Sequence, residues 1–288
     1  MFFPYRLRCY DYAAQTNKIK IMSESQNPVD VIKSMSSDEI SKLVLEVLGM
    51  KVEKLEEPND RKESDFLAYY KDEIFLIEAK LKQDEKKEVA KRERVLSKGD
   101  VYMKDAVLGR DDTISGAFSN ARDQLLSSAK VHKHDLRIIL HLSRGINAKA
   151  KREKATDTLL GRTNILNIKD STCKPCYFYT YSDFYTHRYA FDAAIVGYVD
   201  GYGKLHLAIY LNPHSPRYDK AKQSEFLARH AALDPVVEEA NGRAYMPDAN
   251  VSVKNSNDVI NNLYVKYDNK MLQPFDFNAP EIAVRVSD

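Results

Sequence analysis

Asp65, Glu78 and Lys80 bring two carboxylates and an ammonium into one short apolar stretch, "ESDFLAYYKDEIFLIEAKLK", residues 63–82. Like charges that directly face each other destabilise a sheet, so a facing carboxylate pair needs a cation between its members. Mg²⁺ meets this need, because it is typically held by one or two carboxylates and keeps water ligands, which leaves room for a phosphate oxygen. A bound metal lowers the pKa of a water molecule and neutralises charge on a phosphate, while Lys80 would orient that water or help to deprotonate it. These residue types therefore favour phosphodiester hydrolysis.

A hairpin is the element that would make the two carboxylates face each other. If Lys71 and Asp72 form a two-residue loop, the flanking strands place Asp65 directly across from Glu78, and a four-residue loop centred on the same bond keeps this register. The two Cβ atoms then lie about 5 Å apart, and Lys80 points from the same face. The alternative is a solvated hairpin rim, in which Lys80 only pairs with a carboxylate and contributes little to stability.

The residues around this hairpin predict an α/β core with a mixed sheet. A capped amphipathic helix over residues 38–48 is followed by a short strand in "KVEKLEE" and by two strands over residues 64–70 and 73–80. A helix that begins at Gly116, with an Ala and Leu stripe, and a buried strand in "DLRIILHLS" complete the order helix, strand, strand, strand, helix, strand. The evenly charged segment 81–112 favours a solvated helix or an exposed insertion.

The motif itself resembles a known signature. Ser64-Asp65, twelve intervening residues and then Glu78-Ala79-Lys80 at the end of a hydrophobic strand are similar to the motif of the PD-(D/E)XK nuclease superfamily, although Ser64 replaces the usual proline. The resemblance implies that Asp65, Glu78 and the backbone carbonyl of Ala79 bind the metal and that Lys80 is the catalytic lysine. It implies Mg²⁺ as the cofactor, with Mn²⁺ able to substitute.

The order of elements extends the resemblance over roughly residues 36–142, because it matches the αβββαβ order of the restriction-endonuclease-like fold. We therefore expect an α/β protein in which such a core, with a mixed central sheet flanked by helices, precedes C-terminal α+β additions. The expected domains are an N-terminal arm over residues 1–35, the nuclease core over residues 36–145 and a C-terminal extension over residues 146–288. The extension is expected to complete the fold and to contact nucleic acid.

The function that the resemblance implies is Mg²⁺-dependent endonucleolytic hydrolysis of DNA. A homodimer is implied as well, since members of this kind commonly place one site on each strand. The chain has one catalytic motif and no helicase or methyltransferase motif, which favours restriction or anti-phage defence. A DNA repair or mobile-element nuclease of the same fold is one alternative. A catalytically inert module that binds nucleic acid or a protein partner is an alternative of another class.

Three further residues are candidates for accessory roles. Many members of the superfamily add a carboxylate from the first helix, which Glu39 or Glu46 would supply. Either residue is equally consistent with a surface acid, and an acid at the position of Glu39 is also favoured by the helix dipole. Gln124 resembles a glutamine that some members place on the helix after the lysine, but polar residues are common on helices.

Basic and aromatic residues in the second half are candidates for contact with nucleic acid. The basic candidates are Lys149, Lys151, Arg152, Lys154 and Arg188. The first four either follow a phosphate backbone, which would make binding strongly salt-dependent, or belong to a solvated loop. The aromatic run over residues 177–191 would stack on bases, or its alternating Tyr and Phe form a strand pair that feeds a core. A hairpin is predicted over residues 193–212 and a helix over residues 220–233.

Composition and charge limit the remaining classes of ligand, cofactor and location. The net charge is only +2, so anion binding must come from local clustering. Three cysteines are too few for a disulfide framework and indicate a reducing, cytoplasmic location. No structural zinc is expected, because Cys173-x-x-Cys176 lacks a second pair of ligands. No membrane association is expected either, because no apolar run approaches the ~18 residues of a spanning helix.

The first 21 residues are aromatic and basic and lack the pattern of a secretory signal. Three interpretations stay open for them: a strand-like arm, an upstream extension of the reading frame, and a transit peptide. Met22 opens a sequence that has the character of a natural beginning.

Overall fold

The computed structural model describes residues 34–56, 62–105, 107–275 and 280–284. The predicted arm lies outside the described residues, except for Ser34 and Met35. Residues 1–21, for which three interpretations are open, also lie outside them. In chain order the helices and strands are α1 (Ser37–Val47), β1 (Lys51–Lys54), β2 (Phe66–Tyr70), β3 (Glu73–Lys82), α2 (Lys86–Ser97), β4 (Tyr102–Lys104), α3 (Asp112–Ser128), β5 (Leu136–Ser143), α4 (Ala148–Leu160), β6 (Thr163–Asn167), β7 (Thr172–Cys176), α5 (Asp183–Thr186), β8 (Ala193–Val199), β9 (Leu205–Leu211), α6 (Tyr218–Gln223), α7 (Glu225–Arg229), α8 (Pro235–Ala240), α9 (Ser256–Lys266), β10 (Leu272–Phe275) and β11 (Glu281–Ala283).

A six-stranded mixed sheet forms the centre of the fold, with the strand order β1-β2-β3-β5-β8-β9. Strands β3, β5 and β8 run parallel to one another, whereas β1–β2, β2–β3 and β8–β9 are antiparallel pairs. Helices flank the sheet on both sides, so the predicted α/β class with a mixed central sheet is confirmed. The order α1, β1, β2, β3, α3, β5 is the one predicted, and the charged segment inserts α2 and β4 between β3 and α3.

Strand β3 is apolar on both faces because helices cover both sides of the sheet. Phe75 and Ile77 point into the core beneath α1 and α7, whereas Leu76 points into the core beneath α3 and α4. Side chains alternate along a strand, so Glu78 and Lys80 lie on the same face as Leu76. The motif therefore interrupts the core on the α3 side of the sheet.

Helix α3 begins at Asp112 and not at Gly116, because the side chain of Asp111 accepts hydrogen bonds from the N–H groups of the first turn. The predicted stripe comprised Ala117, Ala121, Leu125 and Ala129, but Ala117 and Ala129 are only half-buried. The buried residues of α3 are Ile114, Phe118, Ala121, Leu125 and Ser128. The predicted Ala and Leu stripe is therefore correct only at Ala121 and Leu125.

The charged segment forms a solvated helix, as one of the two interpretations expected. Helix α2 buries none of its residues. The following strand, β4, pairs with β11 from the far end of the chain, a contact that no local pattern predicted. Tyr102 is 3% exposed and donates a hydrogen bond of 2.5 Å to Glu88, which ties β4 to α2.

The second half adds two strands to the central sheet. The predicted hairpin is confirmed: β8 and β9 pair with Val199 opposite Leu205 and lie beside β5. The predicted helix over residues 220–233 is divided, because Ser224 ends α6 and its side chain caps α7.

The aromatic run over residues 177–191 is not the strand pair that its alternation favours. Strand β7 ends at Cys176, and the run continues through turns and the short helix α5. Phe184 and Phe191 are buried beneath α3 and α4, and the side-chain amide of Asn212 donates hydrogen bonds to their carbonyls at 3.0 and 2.7 Å. A buried amide therefore satisfies backbone groups that a second strand would have satisfied.

The expectations about the cysteines and about membrane-spanning helices concern residues that the structure describes. Cys173 and Cys176 are buried on β7 and form no disulfide within the described residues. None of the described helices combines the length and apolar character needed to cross a bilayer.

Gly145 permits the turn between β5 and α4. Its φ is +88°, and a Cβ atom there would collide with the carboxylate of Asp84. That carboxylate accepts a 2.5 Å hydrogen bond from the N–H of Ile146 and pairs with Lys151, which holds α4 against the end of β3.

We expect Gly145→Ala to lower the free energy of unfolding by about 2–3 kcal/mol, because the variant combines backbone strain with displacement of Asp84. Urea unfolding monitored by circular dichroism measures the change. Gly116→Ala in α3 is the matched control, since a Cβ atom there meets no other atom and alanine favours a helix. Equal stability of the two variants would contradict the role given to Gly145.

Candidate active site

The hairpin has the predicted register. Tyr70 pairs with Glu73 and Phe66 pairs with Ile77 across the two-residue turn that begins at Lys71. Lys71 has a φ of 52°, a left-handed value that such a tight turn tolerates. The same register, carried one step beyond the ladder, brings Asp65 opposite Glu78.

Two hydrogen bonds hold the carboxylates of the pair together. The N–H of Asp65 donates to Oε2 of Glu78 at 3.2 Å, and the N–H of Ala79 donates to Oδ2 of Asp65 at 2.9 Å. Each carboxylate is thus fixed by the backbone of the opposite strand. The pair is rigid because neither side chain can move without losing one of these bonds.

Burial gives the pair an unusual charge state. The side chain of Glu78 is fully buried, and desolvation together with the charge of Asp65 raises the pKa of Glu78 to about 8. Desolvation also raises the pKa of Asp65, although the Ala79 N–H and the charge of Lys80 oppose the change. At neutral pH Glu78 therefore favours its protonated form in the absence of a further cation.

Lys80 is the cation that the chain itself supplies. Its Nζ lies 2.5 Å from Oε1 of Glu78 and 2.9 Å from Oε1 of Gln124. The amide nitrogen of Gln124 donates in turn to the carbonyl of Glu63 at 3.1 Å. The predicted accessory residue Gln124 therefore lies at the site and links the lysine to the chain just before Asp65.

Helix α3 supports this arrangement from its last turns. The hydroxyl of Ser128 accepts a 2.7 Å hydrogen bond from the N–H of Ser64, next to Asp65. Gln124 lies one turn earlier on the same helix, since side chains four residues apart share one side of a helix. Ser64, which stands where the resemblance expects proline, uses the N–H that proline would lack.

The two candidate acids of α1 make other contacts. The carboxylate of Glu39 accepts a 2.7 Å hydrogen bond from the N–H of Ser36 and forms a capping box, which lowers the pKa of Glu39. Glu46 is exposed and lies 3.9 Å from the ammonium of Lys42, one turn away. The structure thus gives Glu39 a structural contact and leaves Glu46 on the outer surface of the helix.

Asp38 and Lys54 act on the site instead, and sequence reasoning missed both. They pair with each other, and the charge of Asp38 contributes to the raised pKa of Asp65. Lys54 reaches the site because β1 places it opposite Phe66, and Leu55 donates a 2.9 Å hydrogen bond to the carbonyl of Asp65. The register of β1 on β2 would have been the signal for Lys54.

The donors at this edge of the sheet fit a hard divalent cation. The carboxylates of Asp65 and Glu78 face each other, and the N–H of Ala79 points toward them. Because the N–H and C=O of one strand residue point to the same edge, the Ala79 carbonyl faces this side too. Among the described residues no three His, Cys, Asp or Glu side chains converge on one point, but Mg²⁺ needs only one or two carboxylates.

The basic residues proposed to follow a phosphate backbone lie on α4, so the solvated-loop interpretation is wrong. The loop was favoured because the segment is highly charged, but α4 packs against β5 and β8 and buries much of its length. Lys149 is exposed, whereas the other three form ion pairs. The pairs are Lys151 with Asp84, Arg152 with Glu153 and Lys154 with Asp111.

Arg188 lies on a separate, exposed aromatic surface. Its guanidinium is 5.0 Å from the ring centroid of Tyr185 and 4.9 Å from that of Tyr189. Both tyrosines are more than half exposed. Contact between these residues and nucleic acid stays a prediction.

Comparisons of the chain with protein-family models, with curated proteins and with solved structures give no match. The geometry of the hairpin and α3 therefore carries the functional argument. That geometry brings together Asp65, Glu78, Lys80 and Gln124 among the predicted site residues. It does not bring Glu39 into contact with them.

Proposed function

We propose that the chain is a Mg²⁺-dependent endonuclease that hydrolyses phosphodiester bonds in DNA. The observation that carries the proposal is the facing pair of the half-buried Asp65 and the buried Glu78, with the ammonium of Lys80 2.5 Å from Glu78. Such a pair destabilises the fold unless a cation neutralises it, so its presence favours a functional role over a structural one.

Asp65, Glu78 and the Ala79 carbonyl would hold the metal in this proposal. When bound there, Mg²⁺ would supply Lewis-acid stabilisation of the phosphate and a more acidic water. The carboxylates would be ionised in that state and would share their charge with the metal, which would weaken the contact of Lys80 with Glu78 while Gln124 still holds the lysine. The lysine ammonium would then orient the attacking water and offset the negative charge that develops on the phosphate.

Gln124 has a positioning role in this proposal. Its side-chain carbonyl accepts from Lys80 and its amide donates to the backbone of Glu63, so it fixes the lysine relative to the strand that carries Asp65. A lysine side chain has several rotatable bonds, and a fixed acceptor selects one of its conformations. The catalytic ammonium is thereby held near the carboxylate pair.

Restriction or anti-phage defence is the biological role that we propose, with DNA repair or mobile-element processing as the alternative. The support for this role is the resemblance of the motif. Strands β8 and β9 also extend the sheet beyond β5, and α4 packs on it. A homodimer is proposed on the same grounds, because cleavage of both strands of a duplex needs two such sites. Size-exclusion chromatography with light scattering measures the assembly.

Incubation of the purified protein with supercoiled plasmid and phage DNA tests the proposed activity. We expect nicked or linear products with Mg²⁺ or Mn²⁺ and none with EDTA. Sequencing the product ends would then identify the cleavage position. Absence of nicking, together with no thermal response to Mn²⁺, would instead favour an inert binding module.

Gln124→Ala is expected to reduce the cleavage rate by roughly 10- to 100-fold, since it leaves Lys80 mobile but removes no group that touches the substrate. It should also destabilise the protein by about 1 kcal/mol through the lost hydrogen bonds. Single-turnover kinetics and urea unfolding measure the two effects. Asn120→Ala, at an exposed position one turn earlier in α3, is the matched control and should change neither quantity by much. An unaltered cleavage rate in Gln124→Ala would remove Gln124 from the site.

A further inference from the structure

A buried arginine on β5 lacks a hydrogen-bond acceptor for its guanidinium in the described part of the chain. Arg137 is 8% exposed, and its register with Leu76 places its side chain on the α3 face of the sheet. Among the described residues no hydrogen bond to this guanidinium is found, and its Nε is enclosed without a partner. A buried cation without an acceptor is strongly unfavourable, so the arrangement calls for an anion.

Asp192, the carboxylate that lies next to Arg137, is already occupied. Oδ2 of Asp192 accepts from the N–H of Arg137 at 2.7 Å and from Nε of Arg217 at 3.0 Å. Its Oδ1 accepts from the hydroxyl of Ser215 at 2.5 Å. The guanidinium Nε of Arg137 lies 4.0 Å from Oδ2, outside hydrogen-bonding distance. Two arginines therefore share a single negative charge, which leaves the cluster positive.

His134 is a third polar group of this cluster, and one of its ring nitrogens has no hydrogen-bond partner among the described residues. Its Nδ1 lies 2.9 Å from the carbonyl of His132, and its Nε2 is buried without a partner in the described part of the chain. Burial lowers the pKa of His134, the hydrogen bond to the His132 carbonyl opposes this change, and the charges of Arg217 and Arg137 lower the pKa further. In the chain, His134 precedes Arg137 by three residues, in the segment that enters β5. Burial and the charge of Arg217 also lower the pKa of Arg137 to about 10.

We propose that Arg137, Arg217 and His134 form a binding site for a phosphate group. The planar guanidinium forks of the two arginines match the oxygens of a phosphate. Nε2 of the neutral His134 ring is an acceptor, because Nδ1 donates to the His132 carbonyl. It would pair with a protonated phosphate oxygen, or donate once the phosphate charge has favoured protonation of the ring. Binding would supply the acceptor that Asp192 cannot give to Arg137. The carboxylate then has the role of orienting the two arginines.

The phosphate site adjoins the candidate active site. His132, which contacts the His134 ring, lies with its Nε2 3.2 Å from Oε1 of Glu63, just before the aspartate of the pair. On the sheet, Arg137 is the neighbour of Leu76, two residues before Glu78 on the same face, which places the two Cα atoms roughly 8 Å apart. A backbone phosphate of nucleic acid and a free phosphate, as in a mononucleotide, share the chemistry that this site recognises.

Inorganic phosphate is the first probe, because its binding does not depend on nuclease activity. We expect phosphate, relative to sodium chloride of equal ionic strength, to raise the melting temperature of the full chain in a saturable way. Arg137→Lys should weaken phosphate binding about tenfold, since it keeps the charge but loses the fork. Arg229→Lys is the matched control, at an exposed arginine on α7, and should bind phosphate like the parent chain. No saturable effect of phosphate, or equal binding by Arg137→Lys, would overturn the proposal.

A short DNA duplex in EDTA separates the two sources of phosphate. If the site takes a backbone phosphate, Arg137→Lys should weaken duplex binding about tenfold with little change in its salt dependence, because the positive charge is kept. If it takes a free phosphate, the duplex arm should not change while the inorganic phosphate arm does. Both results support the site, and neither requires that the duplex be cleaved.

A second variant keeps the proposal testable if Arg137→Lys does not fold. His134→Leu alters only the loop before β5 and removes the ring nitrogens. We expect it to weaken phosphate binding about threefold, as for the loss of one neutral hydrogen bond. Circular dichroism checks its fold. Unchanged phosphate affinity in a folded His134→Leu variant would exclude the histidine and leave the site without its third group, which contradicts the geometry proposed.

Discussion

Lys80→Ala is expected to reduce Mg²⁺-dependent cleavage of DNA by about 10³-fold or more, because it removes the cation proposed to orient the attacking water and to stabilise the phosphate charge. The ammonium of Lys80 lies 2.5 Å from Glu78, so no other lysine of β3 can replace it. Duplex binding measured in EDTA should change little, since one cation among many contributes to it. Single-turnover cleavage at saturating enzyme isolates the chemical step.

Lys82→Ala is the matched control for this experiment. Lys82 lies two residues further along β3, on the same face, and is half-buried like Lys80. Loss of general positive charge would affect both variants alike, whereas loss of a catalytic group affects only Lys80→Ala. Cleavage by Lys80→Ala at the parental rate would contradict the catalytic assignment of Lys80. An equal loss of cleavage in both variants would show that Lys80 contributes only general positive charge.

The hairpin was predictable because its determinants are local. Turn residues set the loop at Lys71, and the alternation of side chains then decides which residues face each other. From these two rules alone the sequence places Asp65 opposite Glu78, with Lys80 on the same face. Gln124 was harder to place, since its contact with Lys80 depends on how α3 lies over the sheet.

Contacts between distant segments were not predictable in the same way. In the sequence, Arg137 is one polar residue in an apolar strand, with nothing that indicates a special role. The carboxylate of Asp192, which contacts it, lies 55 residues away in the sequence. Lys54 reaches the site only because β1 joins the edge of β2, and Asp38 of α1 lies there through its ion pair with Lys54. The ion pairs of α4 likewise join residues far apart in the chain. The local sequence of α4 shows only the basic partners of these pairs, so it gives the impression of an excess of positive charge.

The stability of the metal-free protein is expected to fall as the pH rises from about 5 to about 8, because Glu78 gains a proton on folding in this range. The pKa of Glu78 is raised from 4.5 to about 8 by burial and by Asp65, so the folded state binds a proton that the unfolded state has released. The stabilisation is present below the unfolded pKa and is lost as the pH rises through the folded one. The loss should reach about 3–5 kcal/mol.

Glu78→Gln should remove most of this dependence. The glutamine keeps an acceptor for Lys80 and carries no charge, so at pH 8.5 the metal-free variant should be about 3 kcal/mol more stable than the parent chain. Urea unfolding between pH 5 and 8.5 in EDTA measures both slopes. Glu93→Gln, at an exposed position on α2, is the matched control and should retain the parental slope. Parallel slopes for the parent chain and Glu78→Gln would show that this carboxyl does not titrate as described.

Mn²⁺ should reverse the destabilisation in the parent chain alone. A divalent cation between Asp65 and Glu78 favours the ionised carboxylates, and a ligand at a hundred times its dissociation constant stabilises the folded state by about 2.7 kcal/mol. We therefore expect Mn²⁺ to raise the melting temperature of the parent chain more at pH 8 than at pH 5, where protons compete for the same oxygens. Glu78→Gln should show little response at either pH. A carboxylate pair that destabilises the metal-free fold and is stabilised by a divalent cation is what a metal-dependent nuclease requires, whereas an equal response in Glu78→Gln would place the cation elsewhere.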